Sequence, residues 1–476
     1  MSSTHLQHRR IGGPPRPPKS SATIWKERAI SAFVTLFVLG GFAVVIWSVA
    51  GGYIPHHQRH LKTGGVSGGS SAVSAAALKP KNADLTPETI DRYRKAAKVL
   101  NAEVMAPIPE KFDDGYKNPC WTAADGQFRC LPYAYVAGQF HAGALGLSER
   151  LKRHPDIATD VCSQCQFWAE EAKLMSFYLD NMKAASVAIK AAPQNKVLLD
   201  HSPSTFGFYW AGGQKAHMGF QEAMRPCYEG CVQAFNKDKV EPVHDCMGRK
   251  CYNSSLAADR GKAATAGIDY ETEQHNPLLI RAVYGARPPK MIVLVREPIA
   301  RLYSAYHNYP HYHTKYGKSS AGFTAYVKEQ VGAFRDCARD YGEERCALVF
   351  EALGSREEKI YFHADQLMRG MYGLFLEIWQ RFIPPSHWLI IDADEYFNNE
   401  AATLERVVDF LGLTKANETV MKDMTSLPKA PTYASGQEPI QPEAKKILKD
   451  LYKPYNTKLA QVTGDPRYEK WNRDEL

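Results

Sequence analysis

The first 119 residues of this 476-residue chain contain no cysteine, and residues 29–50 contain no charged side chain. The second absence excludes an ordinary solvent-facing helix at that place. Ala29 to Ala50 is 22 residues rich in Phe, Val, Leu and Ile, enough at about 1.5 Å per residue to cross the hydrocarbon core of a bilayer. A single transmembrane helix is predicted. A cleaved signal peptide is the rival reading, but a 28-residue leader ahead of 22 apolar residues is too long for that pattern. A strong charge excess is lacking as well. The formal net charge is +8, of which Arg9, Arg10, Arg16, Lys19, Lys26 and Arg28 against Glu27 supply +5, so the remainder is mildly basic and no nucleic-acid partner is implied. Only Arg59 and Lys62 follow closely on the far side, so residues 1–28 are expected to stay cytosolic as a tail and everything after residue 50 to face a lumen.

All ten cysteines, Cys120, Cys130, Cys162, Cys165, Cys227, Cys231, Cys246, Cys251, Cys337 and Cys346, lie beyond that segment, where the compartment permits disulfides. Five bridges are expected. The spacings C-x2-C at 162, C-x3-C at 227 and C-x4-C at 246, with His244 near by, also fit a zinc site, a reading that a lumenal location disfavours. Asn253 and Asn417 head N-glycosylation sequons.

Residues 51–84 are rich in Gly, Ser and Ala and lack periodicity, the composition of a flexible stem. From residue 85 to residue 476 no low-complexity break and no internal repeat interrupts the pattern, which predicts one lumenal domain. Within it, "YAYVAG", "KVLLD", "MIVLV", "KIYFH" and "WLIID" read as strands, several of them apolar on both faces as parallel strands are. Helical patterns alternate with them. In "NEAATLERVVDFLGL" Leu404, Val407, Val408 and Leu411 recur at helical spacing between a capping Asn399 and a terminating Gly412. The predicted class is α/β, a central parallel sheet flanked by helices with ligands at the carboxyl ends of its strands.

Two stretches carry chemistry. In "KMIVLVREPIARLYSAYHNY", Arg296 follows the strand and Pro298 suits the first turn of a helix, so Arg296 lies beside a helix amino terminus that favours an anion. Arg301 and Ser304, three residues apart, are placed to converge on one phosphate, the guanidinium bidentate; a surface ion pair and a helix-facing serine are the plainer alternative. In "CLPYAYVAGQFHAGALGLSERLKRHPDI" a strand runs through a glycine-punctuated turn into a helix. That is the layout of a phosphate-binding loop.

Arg296, Pro298, Arg301, Ser304 and Tyr306 reproduce R-x-P-x-x-R-x-x-S-x-Y, which resembles the 3′-phosphate-binding motif of the Golgi carbohydrate sulfotransferases that use 3′-phosphoadenylyl sulfate (PAPS). "KNPCW" at 117, "CLPYAYVAGQ" at 130, "SPSTF" at 202 and the stretch from Asn276 to Tyr306 are similar to a chondroitin-modifying member, and the likeness spans about 115 to 475. The resemblance implies a P-loop-like sulfotransferase fold behind a signal anchor, a type II Golgi membrane protein, PAPS as donor, no metal, and a hydroxyl of a glycan as acceptor. Oligomeric state does not follow from it.

It also assigns the opening loop. The family pattern is approximately G-x-P-K-C/S-G-T-T-x-L around the donor's 5′-phosphosulfate, whereas this chain reads Gly138, Gln139, Phe140, His141, Ala142, Gly143, Ala144, Leu145, Gly146. The turn glycines are kept. Lysine and both threonine hydroxyls are replaced, so backbone N–H groups must do most of the binding, and His141 is the candidate catalytic acid in place of the lysine. In heparan-type relatives a glutamate ahead of an aromatic pair is the general base; aligning Phe167 and Trp168 with that pair puts Gln164 there, and glutamine cannot take a proton. Asp160, Glu170, Asp200 and His201 are the candidate substitutes.

The aromatic run "FGFYW" at 206 reads as core more readily than as a sugar platform, and His307, His311 and His313 as a solvated loop more readily than as metal ligands. The expected activity is PAPS-dependent O-sulfation of a chondroitin-like or other polysaccharide. A catalytically silent relative that binds nucleotide or glycan is the second reading; a nucleotide kinase fits poorly, because the loop lacks G-K-[S/T].

Overall fold

The computed structural model describes residues 85–159, 164–170, 173–208, 214–235, 240–350, 353, 361–428 and 433–473. Residues 1–84, which hold the predicted tail (1–28), membrane segment (29–50) and stem (51–84), lie outside the described residues. No helix among those described is long and apolar enough to cross a membrane.

A short antiparallel pair, β1 (Cys120–Thr122) and β2 (Phe128–Cys130), is closed by the Cys120–Cys130 disulfide. The main sheet follows. It contains β3 (Ala134–Gly138), β4 (Ile157–Thr159), β5 (Val197–His201), β6 (Lys290–Val295) and β7 (Trp388–Asp392) in the order β4-β5-β3-β6-β7, every pair parallel.

The inner strands are covered on both faces and are apolar apart from Lys290 at the start of β6 and Asp200 and His201 at the end of β5. Tyr135, Ala137, Leu198, Met291, Val293 and Val295 pack into one core, and Val136, Val197, Leu199, Ile292, Leu294 and Ile391 into the other. Fully burying a side chain such as Leu294 contributes about 1.5–3 kcal/mol, so the register of β6 is fixed from both sides. Four of the five predicted strands are present. "KIYFH" is not one of them: Tyr361–Met368 is a helix, and so short a run, apolar only at Ile360, Tyr361 and Phe362, does not separate helix from strand. The edge strand β4, three residues long, carries too little pattern to be seen in sequence.

Strand order decides where a ligand can sit. The chain leaves β3 for β5 and β4 on one side, then crosses to β6 and β7 on the other, so β3 is the switch point and a crevice opens beyond its carboxyl end. The loop at 139–143 and Arg296, directly after β6, both lie there. Further along, the Glu400–Leu411 helix ends at Gly412 in the left-handed region (φ 60°) as expected, whereas Asn399 occupies the cap position without a side-chain cap bond.

Between β5 and β6 the chain makes a helical excursion, Met218–Phe235, Val240–Lys250 and Tyr252–Ala266. It is stapled by Cys227–Cys251 and Cys231–Cys246. Of the possible zinc spacings, the four sulfurs at 227, 231, 246 and 251 are thus consumed in two bridges, one nested inside the other in sequence; Cys231 and Cys251 sulfurs come within 3.9 Å because the bridges pack together. Cys337–Cys346 is bonded as well, and Cys165 is in a disulfide, while Cys162 lies outside the described residues. Asn253 and Asn417 are both exposed, and Asn417 caps a helix by accepting from the Val420 amide at 3.0 Å.

Replacing Cys227 and Cys251 together by alanine is expected to lower the unfolding free energy by about 2–5 kcal/mol, read as a fall in the denaturant midpoint. Thiol titration of the denatured, unreduced chain should find none of the four bridged pairs reactive.

Candidate active site

Gly138 ends β3 where space is scarcest: a Cβ there would stand 3.1 Å from Phe206 Cβ. The loop that follows is braced from within. Fully buried Gln139 accepts from the Phe140 amide at 2.9 Å and donates to the Arg369 carbonyl at 3.1 Å. His141 is held in the left-handed region at φ 63°, and Gly143 at φ 96° begins the Ala144–Leu151 helix. The first intrahelical bond runs from Leu147 N to Gly143 O, which leaves the first-turn amides of Ala144, Leu145 and Gly146 outside the helical ladder. Three donors and the positive end of a helix dipole therefore face the crevice.

That crevice is a cavity of about 370 Å³ lined on one side by Gln139, Phe140, His141 and the Gly143–Gly146 turn, and on the other by Gln164, His201 and Pro203. Arg296 and Ser304 also line it, with Tyr309, Tyr433 and Phe397 around the rim. Of the predicted loop residues, Gly138 and Ala142 stand behind the lining, Ala142 fully buried.

Arg296 is half-buried, and burial lowers its guanidinium below the usual arginine value. It donates to the His141 carbonyl at 3.3 Å, and its own carbonyl accepts from Tyr372 at 2.9 Å. Two expectations around it change. The Pro298–Asn308 helix does not offer its first amides to an anion, because Glu297 takes the Ile299 and Ala300 N–H groups at 3.1 and 2.6 Å. Arg301 does not converge with Ser304 either. It is fully buried and donates to the Gln366 side chain at 3.0 Å, to the Gln366 carbonyl, and to the Phe140 carbonyl at 3.5 Å. Its length carries the guanidinium behind the loop, while Ser304, one turn on, reaches the cavity.

His141 has rings edge-on at 5.4 Å (Tyr309) and 5.8 Å (Tyr433). Burial, then the Arg301 and Arg296 charges, push its imidazole down to about 3. Before a ligand enters, it is neutral at physiological pH. A bound dianion would oppose both guanidinium fields and raise that value.

The candidate bases separate cleanly. His201, at the end of β5, lines the cavity. Asp200 is fully buried with Tyr178 and Ser202 hydroxyls on its two oxygens; Glu170 is exposed and paired with Lys173 at 2.8 Å; Asp160 lies outside the described residues. Gln164 also lines the cavity. Sequence reading had no signal to prefer His201 over the others, since that choice rests on which strand end opens into the crevice.

Phe206 and Phe208 are core. His307, His311 and His313 lie on the helices Pro298–Asn308 and Pro310–Tyr316 instead of a loop, with His307 and His313 rings 5.7 Å apart. A larger cavity of about 430 Å³, lined by His217, His275 and the Tyr341–Arg345 turn, contains none of the predicted site residues.

Residues 273–429, which include Arg296 and Ser304, match the sulfotransferase domain family. Carbohydrate sulfotransferase 15 of Rattus norvegicus is 25% identical over 347 residues, 72% of this chain and 55% of its own length; that of Homo sapiens is 24% identical over the same extent. The chain is similar in sequence to carbohydrate sulfotransferases. It spans about half the length of those curated relatives. Heparan sulfate glucosamine 3-O-sulfotransferase 6 of Mus musculus is 26% identical over 238 residues, 45% of this chain and 61% of its own. The loop at 138–146 precedes the range matched by the sulfotransferase domain family, so its reading rests on geometry.

Gly143→Ala is expected to destabilise the protein by about 1–3 kcal/mol, because a Cβ at φ 96° would also meet Phe397 Cζ at 3.0 Å. Chemical denaturation measures it, and Gly146→Ala, which meets only ordinary contacts at 3.5 Å and beyond, is the control.

Proposed function

We propose that the chain transfers a sulfuryl group from PAPS to a hydroxyl of a glycan, anchored as a type II Golgi membrane protein with residues 85–476 in the lumen. The observation that carries this reading is the convergence, on one cavity at the sheet's switch point, of Arg296, Ser304 and the amides of Ala144–Gly146. Those groups fit the donor in part. A guanidinium and a hydroxyl suit its 3′-phosphate, and amides at a helix start suit the 5′-phosphosulfate. No cation stands in the loop itself, where His141 is neutral at rest.

PAPS supplies the activated sulfuryl group. His201 accepts the proton of the acceptor hydroxyl as its oxygen bonds to sulfur, and the bond from sulfur to the phosphate oxygen breaks. The loop amides hold the charge that accumulates on the departing phosphate. His141 must gain a proton before it can donate to that oxygen, and the donor's own charge favours this uptake. The acceptor class rests on the named relatives, and a chondroitin-like polyanion is the substrate the resemblance favours.

The same loop favours a second reading. Ala144 and Leu145 bring no hydroxyl to the phosphates, so a protein that binds the nucleotide without turning it over is the alternative. Labelled donor presented with a panel of glycans separates the two.

The full chain should bind adenosine 3′,5′-bisphosphate by calorimetry, and Arg296→Ala should weaken it by about 2–5 kcal/mol, as loss of one partner of a buried charge pair does. An unchanged affinity removes Arg296 from the site. His201→Ala should cut kcat by about 10²–10⁴-fold with bisphosphate affinity within about twofold. Turnover should fall as pH rises through the donor-bound value of His141, because only its cation can donate, and His141→Lys should flatten that alkaline limb. Binding of bisphosphate with no transfer to any glycan, unrestored by His141→Lys, establishes the silent relative.

A further inference from the structure

Behind the cavity wall lies a polar network that the transfer chemistry does not use. Asp200, Ser202, Tyr135, Tyr178, Tyr284 and Trp168 are each within 3% of full burial. Their contacts form a chain: Trp168 Nε1 to Tyr135 Oη at 3.3 Å, Tyr135 Oη to Tyr284 Oη at 2.9 Å and to Tyr178 Oη at 3.2 Å. Tyr284 donates to the Pro132 carbonyl at 2.8 Å, Tyr178 Oη is 2.5 Å from Asp200 Oδ2, and Ser202 Oγ is 2.5 Å from Asp200 Oδ1.

Counting hydrogens decides the state of the carboxyl. These are six hydrogen bonds, and the indole, three phenols and one serine hydroxyl bring five hydrogens. Tyr284 must donate to the carbonyl, which has no hydrogen of its own, so Tyr135 must donate to Tyr284. If Asp200 is ionised, Tyr178 donates to it, and the contact between Tyr135 and Tyr178 has no hydrogen at all. A proton on Asp200 Oδ2 repairs the chain: Asp200 donates to Tyr178, Tyr178 to Tyr135, Tyr135 to Tyr284, and every oxygen is satisfied.

The far end of the chain reaches the site. Ser202 Oγ accepts from the Gln166 amide at 2.9 Å. Gln166 holds a left-handed backbone at φ 49° and donates to the Gln164 side chain at 3.4 Å. Gln164 and His201, the latter between Asp200 and Ser202 in sequence, both line the cavity. We infer that Asp200 is carried as a neutral carboxylic acid and that this acid, through Ser202, latches the Gln164–Gln166 turn and the end of β5 into the cavity wall. Asp200 is therefore a positioning residue and not the base; its effect on transfer rests on the function proposed above.

The surroundings agree. Burial is the leading influence on Asp200 and raises its carboxyl, against the Ser202 and Tyr178 hydroxyls and the Lys173 ammonium, which favour the ionised form. Burial likewise raises the three phenols, so their hydrogens stay in place. Because the folded chain then binds a proton the unfolded chain has released, stability falls as pH rises from about 4 toward the folded value of Asp200.

Isotope-edited difference infrared spectroscopy of the full chain at pH 7 should show a protonated carboxylic carbonyl that Asp200→Asn removes. The variant should also lose the corresponding pH dependence, up to about tenfold in the unfolding constant per pH unit. Hydrogen exchange across residues 164–170 should rise about tenfold or more in Asp200→Ala and return toward wild type in Asp200→Asn, whose amide can donate to Tyr178 and accept from Ser202. If the alanine variant does not fold, Ser202→Ala, which removes the acceptor of the Gln166 amide and the donor to Asp200 Oδ1 but leaves the Asp200–Tyr178 contact in place, should raise the same exchange while keeping the infrared band. Absence of the band at pH 7, or unchanged exchange in Ser202→Ala, overturns the inference. In turnover, Ser202→Ala should lower kcat with bisphosphate affinity within about twofold. A wild type that transfers nothing would refute the function while band and exchange still decide the latch.

Discussion

A guanidinium with no exposure to solvent organises this site. Arg301 spends its hydrogen bonds on the Gln366 side chain and carbonyl and on the carbonyl of Phe140, tying the loop after β3 to the Tyr361–Met368 helix. Isolated charge in an interior is costly unless its donors are satisfied, so the loop carbonyl is held where the arginine needs it. The same charge acts forward into the cavity. Added to burial, which is the larger influence, the charges of Arg301 and Arg296 keep His141 neutral and leave the pocket electropositive, a field that a phosphate or sulfate ligand would relieve.

The loop thereby separates two functions that one set of residues often combines. Backbone conformation, set by the glycine at 143 and the helix that follows, supplies directional donors whatever side chains the turn carries. Side-chain charge is supplied from elsewhere, by Arg296 at the end of β6 and Arg301 behind. Such an arrangement suits an anion with few local cations, and in the proposed reaction it makes proton uptake by His141 part of binding instead of a fixed property of the protein.

The opposite wall is held by a different physics. β5 delivers His201 to the cavity while its neighbour Asp200 turns into a buried tyrosine network, so in the proposed transfer one strand end serves both chemistry and support. The disulfide-stapled excursion after β5 lies away from the cavity lining, and the Cys227–Cys251 and Cys231–Cys246 bridges hold helices whose own core is small. Its stability and the site's geometry are separate problems.

The sequence by itself determined the parallel sheet, because strands covered on both faces must be apolar at consecutive positions: residues 134–137, 197–199, 291–295 and 388–391 all read that way. It also placed Arg296 at a strand end and Pro298 at a helix start, since both follow from local rules of backbone geometry. Tertiary structure decided the rest. Periodicity put Arg301 and Ser304 on one helical face, but a long side chain can turn away from its neighbour, and only the packing of residues 361–368 shows that Arg301 does. The three apolar residues Ile360, Tyr361 and Phe362 could not announce the helix that covers Tyr361–Met368. Which of Asp160, Glu170, Asp200 and His201 meets the cavity depends on strand order and on which strand ends flank the switch point, relations between distant segments that no local pattern encodes. The protonation of Asp200 depends on the hydrogen inventory of five other side chains and one carbonyl brought together from five places in the chain, and a count of that kind exists only once the fold has closed.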